Sequence, residues 1–217
     1  MNIDSLIIKY FGNEGETPTI EMFDEDNIHR VYSHIVNLFK VKTEIELSVL
    51  QLLSYCIYEI LDNVITHSGK KCGTVLLRHN ADNNTIKVLV ADDGVGIKKS
   101  LSENDNYKNI SEEEALNLCL HDRVTDGKGM GFGLYSTLCL IRNAGVRLVL
   151  HSGSHILTTD GTFETIKEAS NWQGTIIFIE VYSNKEIEPN LIVDNRTNVE
   201  DEFNDEFLDT SEIDELW

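Results

Sequence analysis

Basic residues are scarce in this chain: 18 lysines and arginines face 37 aspartates and glutamates, for a net charge of -19 at pH 7. Such a surface repels polyanions, which excludes DNA or RNA as an expected direct partner. Cys56, Cys72, Cys119 and Cys139 show no CxxC spacing and three of them fall in apolar stretches, so neither a disulfide framework nor a zinc site is indicated. The chain does not open with a basic segment followed by a long apolar run, and no window approaches the length of a membrane span. A cytoplasmic protein without membrane association is the expectation. No internal repeat points to a solenoid. What is present is 217 residues, 41% of them apolar, enough for one substantial core plus decoration.

Leu6, Ile7, Ile8 and Tyr10, ahead of a turn at residues 12–16, are read as an early strand. Ile28, Val31, Tyr32, Ile35, Val36, Leu38 and Phe39 recur at helical spacing over residues 26–39, with Asp24 or Asp26 as cap. A longer helix is expected over residues 43–67, with Leu47, Leu50, Leu53, Ile57, Ile60, Leu61 and Val64 on one face and Gly69 as its stop. Two β-rich runs at 74–78 and 85–91 flank a turn cluster and suggest a hairpin. Ser111 and Glu114 form a capping box for a short helix, and a glycine-dense loop feeds another helix over 134–143. Four strands are expected at 146–151, 154–159, 162–167 and 175–182. The chain thus divides into an extension (1–25), a compact domain (26–183) and an acidic tail (184–217). In the tail, Phe203, Phe207 and Leu208 among carboxylates suit an amphipathic helix that docks in a basic, apolar groove; a solvated, disordered terminus is the competing reading.

The chemistry is concentrated in four segments. In YEILDNVITHSG, the four-residue spacing of Glu59 and Asn63 puts a carboxylate and a carboxamide on one helical face. The amide oxygen suits Mg²⁺ and the carboxylate suits activation of a hydroxyl or water, although such a pair alone is more often solvated helix surface. In VLVADDGVGI, an apolar run delivers Asp92 to the end of a strand, with Gly94 and Gly96 beyond it. A carboxylate there can accept from an adenine amino group; an acidic turn is the alternative. GKGMGFGL, residues 127–134, exposes backbone N–H groups before a helix and can hold a di- or triphosphate, with Lys128 as a mobile cation. A dinucleotide-binding turn competes, but no βαβ unit surrounds these glycines, and a flexible linker is opposed by the immediate entry into Leu134. Gly174 and Thr175 open a late strand, where the hydroxyl either approaches the phosphates or simply begins a core strand.

The order of these segments resembles the GHKL superfamily of gyrase, heat-shock chaperone, sensor histidine kinase and mismatch-repair ATPases, over roughly residues 26–182. The resemblance implies an α+β fold of the Bergerat, histidine kinase-like type: a two-layer α/β sandwich with a mixed sheet covered by helices on one face. It implies ATP and Mg²⁺ as cofactors, with Glu59 as general base, Asn63 as metal ligand and Asp92 as adenine anchor. Gly94 and Gly96 match the base-pocket turn, while Gly129, Gly131 and Gly133 match the phosphate loop, in which Lys128, Met130, Phe132 and Leu134 also lie. Thr175 is a further nucleotide contact, and residues 98–128 would form a lid that nucleotide orders.

Too little chain follows the site for a gyrase-like transducer domain. His29 and His34 lack the context of a phosphoacceptor, and Thr66 stands where many sensor kinases carry a basic residue. The pattern Glu59, Asn63, His67, Ser68 is closer to stand-alone anti-sigma-factor-like proteins, with His67 either closing the pocket or purely structural. A regulatory protein is therefore expected whose lid couples nucleotide state to a protein partner, of the STAS type or another class, with a homodimer left open. The alternative is a serine/threonine kinase or weak ATPase acting through Glu59.

Overall fold

The computed structural model describes residues 2–12, 16–42, 45–128 and 133–187. Five strands, β1 (Thr19–Asp24), β2 (Cys72–Asn80), β3 (Thr85–Ala91), β4 (Arg147–Thr159) and β5 (Glu164–Tyr182), form one sheet in the order β1-β2-β3-β5-β4. The α+β architecture is as expected, but the sheet is antiparallel at every neighbouring pair rather than mixed. The reason is the β4–β5 hairpin, which inserts its second strand beside β3. β4 runs parallel to β3, but β5 lies between them.

Two long helices, α2 (Ile28–Lys42) and α3 (Leu47–His67), and the later α6 (Gly133–Ala144) supply the helical layer. Asp24 accepts from the N–H groups of Asp26 and Asn27 in the turn that leads into α2. α3 stops where Gly69 takes φ of +74°, a conformation open to glycine, and Ser68 Oγ accepts from the amides of Lys70 and Lys71 just beyond. Val75, Leu77, Ile86, Val88, Val90, Ile177, Ile179 and Val181 face this layer and share its core with Leu53, Ile57, Ile60 and Leu61 of α3.

The opposite face is also covered. Leu76, Leu89, Ala91, Val149, Ile176 and Phe178 point away from the helices and pack against Leu6 and Phe11. The stretch around Leu6, Ile7, Ile8 and Tyr10, expected as a strand, is instead α1 (Ile3–Leu6) continued by a π-type turn through Phe11. The apolar positions Leu6, Ile7, Tyr10 and Phe11 follow helical rather than alternating spacing. The first true strand is β1, so the sheet begins before residue 26. At the other end the fold continues to Ile187, which is buried and donates its N–H to Ser48 Oγ at the start of α3. The tail beyond it, with Phe203, Phe207 and Leu208, lies outside the described residues.

The four late strands expected from the sequence are two long ones. A straight 13-residue β4 would span about 40 Å, yet the Asp160 carbonyl just past its end lies 4.0 Å from where a Cβ on Gly145 would stand. The hairpin therefore doubles back, and it bends at a register shift between Ser152 and His155 where Gly153 takes φ of +60°. Glu112 braces the bend, accepting from the N–H and Oγ of Ser154.

Residues 98–128, expected as a lid, fall in the segment that holds α4 (Ile97–Leu101), a 3-10 turn (Asp105–Tyr107) and α5 (Glu112–Leu118), the last opened by the Ser111–Glu114 capping box. Among the described residues, no helix is long and apolar enough to cross a membrane.

Because Phe11 is fully buried and covers the second face, Phe11→Ala should lower the unfolding free energy by about 3 kcal/mol. Ile8→Ala, at a position 62% exposed, should leave it within about 0.5 kcal/mol. Urea denaturation of the two variants tests the difference.

Candidate functional site

Glu59, Asn63 and His67 recur every four residues along α3 and so share one face of the helix. Asn63 Nδ2 donates to the Glu59 carbonyl at 2.7 Å, which commits the amide nitrogen and leaves Oδ1 as its acceptor. Glu59 is partly buried. Burial, reinforced by the Asp62 carboxylate, pushes its carboxyl from 4.5 up to about 7. A carboxyl with that value can accept a proton near neutral pH.

β3 carries Asp92 to the mouth of the sheet, on the same face as Val88 and Val90, which belong to the helix-side core. Only 3% of Asp92 is exposed. Its N–H donates to the Thr175 carbonyl at 2.9 Å, and its Oδ1 accepts from Gly94 N–H at 2.8 Å. Burial pushes its carboxyl from 3.8 up to about 6, against the pull of the Gly94 and Thr175 N–H groups. Two glycines are sterically required here. Gly94 lies directly against the Ser68 backbone, and a Cβ on Gly174, where φ is +97°, would stand 2.6 Å from Asp92 Oδ1. Val95 N–H then donates to the Ser68 carbonyl at 2.8 Å, which ties this turn to the end of α3.

Three residues that sequence reasoning passed over hold the same turn. Trp172 Nε1 donates to the Asp92 carbonyl at 3.0 Å, Gln173 Nε2 donates to the Gly94 carbonyl, and Ser152 Oγ donates to the Gly174 carbonyl at 2.8 Å. Ser152 Oγ also accepts from Ile97 N–H. The WQGT run was legible as a strand start, but its side-chain donors had no visible target. A cavity of about 180 Å³ lies behind the turn, lined in part by Gly96, Lys98, Ser152 and Trp172; Glu59, Asn63 and Asp92 are not part of its wall.

On the glycine-segment side, Gly127 takes φ of +96° in open space and Gly133 begins α6. Leu134 packs against the helical core. Gly129, Met130, Gly131 and Phe132 lie outside the described residues. Lys128 Nζ, expected as a mobile cation, is ion-paired to Glu103 at 2.8 Å. Asp126, which the sequence reading did not single out, is the anchor of this region. Its Oδ2 meets His67 Nδ1 at 2.8 Å and Ser100 Oγ at 2.7 Å, while its Oδ1 accepts from Lys128 N–H at 3.0 Å. The end of α3 is thus joined directly to both the aspartate turn and the start of the glycine segment.

The residues present suit a purine nucleotide: a buried carboxylate faces a turn from which side chains are sterically barred. For Mg²⁺, no cluster of three His, Cys, Asp or Glu among the described residues could hold a metal, so Asn63 Oδ1 would act together with phosphate oxygens and water.

Both raised carboxyls carry a stability cost. Between pH 4 and 7 the native state binds more protons than the unfolded state, so stability falls as pH rises through that window, and the cost persists above it. In nucleotide-free protein near pH 8, Glu59→Gln and Asp92→Asn should each raise stability by about 1–3 kcal/mol, and the gain should vanish near pH 4. Denaturation at the two pH values tests this.

No curated protein matches the chain. The family model described as histidine kinase-, DNA gyrase B- and HSP90-like ATPase matches residues 49–181 of the 217. The matched stretch runs from α3 to β5 and contains Glu59, Asn63, Asp92, Asp126 and Thr175. The chain belongs to this family of ATP-binding domains.

Proposed function

We propose that the protein is a Mg-ATP-binding regulatory module in which residues 98–128 couple nucleotide state to the docking of a partner protein. One observation carries the reading: the end of α3 bonds through Ser68 to the turn after Asp92 and through His67 to Asp126, whose Oδ2 also accepts from Ser100 of α4. The turn after Asp92, the start of the glycine segment and α4 are therefore linked through the end of α3, by one backbone bond and two side-chain contacts. Occupancy of the turn or of the glycine segment changes what the lid is held by, and a partner that reads the lid surface reads the nucleotide.

In this reading Asp92 accepts from the adenine amino group and Asn63 Oδ1 holds the Mg²⁺ that accompanies the phosphates. The bound metal would neutralise phosphate charge, which matters in a chain of net charge -19. The anti-sigma-factor-like branch, with a STAS-type or other regulatory partner, suits this behaviour best. A sensor-kinase fragment suits it less, because His34 is paired with Glu21 and His29 lies against the Tyr58 ring.

A second reading has its own support. A carboxyl pushed to about 7 four residues before the metal ligand is poised to take a proton from a serine, threonine or water hydroxyl, so phosphoryl transfer to a partner or slow hydrolysis is the alternative.

Incubation with γ-labelled Mg-ATP, with and without a co-purified partner, separates these outcomes. Bound, unchanged ATP supports the gated module. Label on the partner that disappears in Glu59→Ala identifies a kinase, and free phosphate that disappears identifies an ATPase. Asp92→Asn should weaken ATP binding by about 1–3 kcal/mol in calorimetry; unchanged affinity removes Asp92 from the site.

A further inference from the structure

Resting on the ATP-binding reading above, we infer that Asp126 is a positioning residue for the triphosphate end of the nucleotide. It holds the Lys128 backbone and the His67 imidazole in register without itself touching phosphate. The carboxylate stands where a polyanion would be received, in a chain already carrying net charge -19. Its side chain is 1% exposed. A buried negative charge beside a triphosphate is unfavourable unless it organises groups that nothing else organises.

Its contacts have that character. Oδ1 accepts from Lys128 N–H and so sets the Gly127–Lys128 peptide; Oδ2 takes His67 from α3 and Ser100 from α4. Burial opposes its charge, but the hydrogen bonds from Ser100, His67 and Lys128 outweigh burial and hold the carboxyl below its usual value. An ionised carboxylate only accepts, so His67 Nδ1 carries the hydrogen of this contact and the ring is oriented by it. That ring lies one turn beyond Asn63 on the same face of α3. A carboxylate that fixes an imidazole beside a metal-ligating amide has the logic of an outer coordination shell, orienting groups whose placement decides affinity.

The base end and the phosphate end have separate aspartates, which makes the inference testable. Asp92 is bonded to Gly94 and Thr175, whereas Asp126 is bonded to Lys128, His67 and Ser100. ATP and adenosine affinities are measured by calorimetry for the full chain and for Asp126→Ala, Asp126→Asn, His67→Ala and Asp92→Asn. Asp126→Ala should weaken ATP about tenfold, the loss of one charge-assisted hydrogen-bond set, and leave adenosine unchanged. Asp126→Asn keeps an acceptor for Lys128 N–H and should lose about threefold for ATP alone. His67→Ala should cost ATP affinity in the parent chain and nothing further in the Asp126→Ala background.

A merely structural role would lower ATP and adenosine together. Equal loss of both ligands, or loss of neither, in Asp126→Asn overturns the inference even if Asp126→Ala fails to fold. Loss of both in Asp92→Asn with no change in either Asp126 variant overturns this inference alone and leaves the ATP site intact. Failure of the parent chain to bind ATP overturns both.

Discussion

Everything at the site depends on how α3 ends. A helix leaves its last carbonyls without partners, and they must be satisfied from elsewhere. Here the Ser68 carbonyl takes Val95 N–H, and the close approach this demands is available only because residue 94 has no side chain. One backbone hydrogen bond thus fixes the distance between the Glu59–Asn63 helix and the turn that follows Asp92. His67, one residue earlier, fixes the second distance through Asp126. If the helix stopped a turn sooner or later, neither segment would find its donor or acceptor.

The electrostatics follow from that placement. Three buried or partly buried carboxyls lie around the end of α3, and their environments separate them. Glu59 and Asp92 are raised chiefly by burial, to about 7 and about 6, while Asp126 is lowered by donors from α3, from α4 and from its own loop. Hydrogen-bond supply is part of the difference. Asp126 has two side-chain donors and a backbone N–H, whereas backbone amides only partly offset the burial of Asp92. In the proposed reading the two raised groups accept, one from a base and one from a hydroxyl, and the lowered group orients.

Much of this was legible in the residues. α2, α3, the β2–β3 hairpin and the Ser111–Glu114 box follow from apolar periodicity and turn chemistry, and they stand close to where periodicity puts them. The short N-terminal segment was misread because Leu6, Ile8 and Tyr10 alternate as a strand would, while the helical set Leu6, Ile7, Tyr10 and Phe11 is what packs. The uninterrupted apolar runs of β2, β3 and β5 were the unused clue, since a strand covered on one face alternates and a strand covered on both does not. The doubled-back hairpin was invisible because its bend needs only one glycine at positive φ and a register shift. At the candidate site, the carboxylate, amide and glycines could be proposed from their spacing. Asp126, Ser100, Trp172 and Gln173 were not, because each acts through a contact 26 to 80 residues away in sequence.

The segment over residues 98–128 is tied both to itself and to the fold. Ser100 meets Asp126, Asn104 Nδ2 donates to the Thr125 carbonyl at 3.0 Å, and Glu103 pairs with Lys128, all within the segment. Its ties to the rest of the fold include His67 to Asp126, Glu112 to Ser154, and the burial of Leu101, Leu116 and Leu120. The Glu103–Lys128 pair is about half exposed and contributes little once solvent screens it, so the hold on the segment comes from buried apolar side chains and from the two carboxylates of Glu112 and Asp126. In the proposed gating, nucleotide and partner shift this segment only by as much as they bind its two positions differently, and a change from nearly all open to nearly all closed requires about 5.5 kcal/mol.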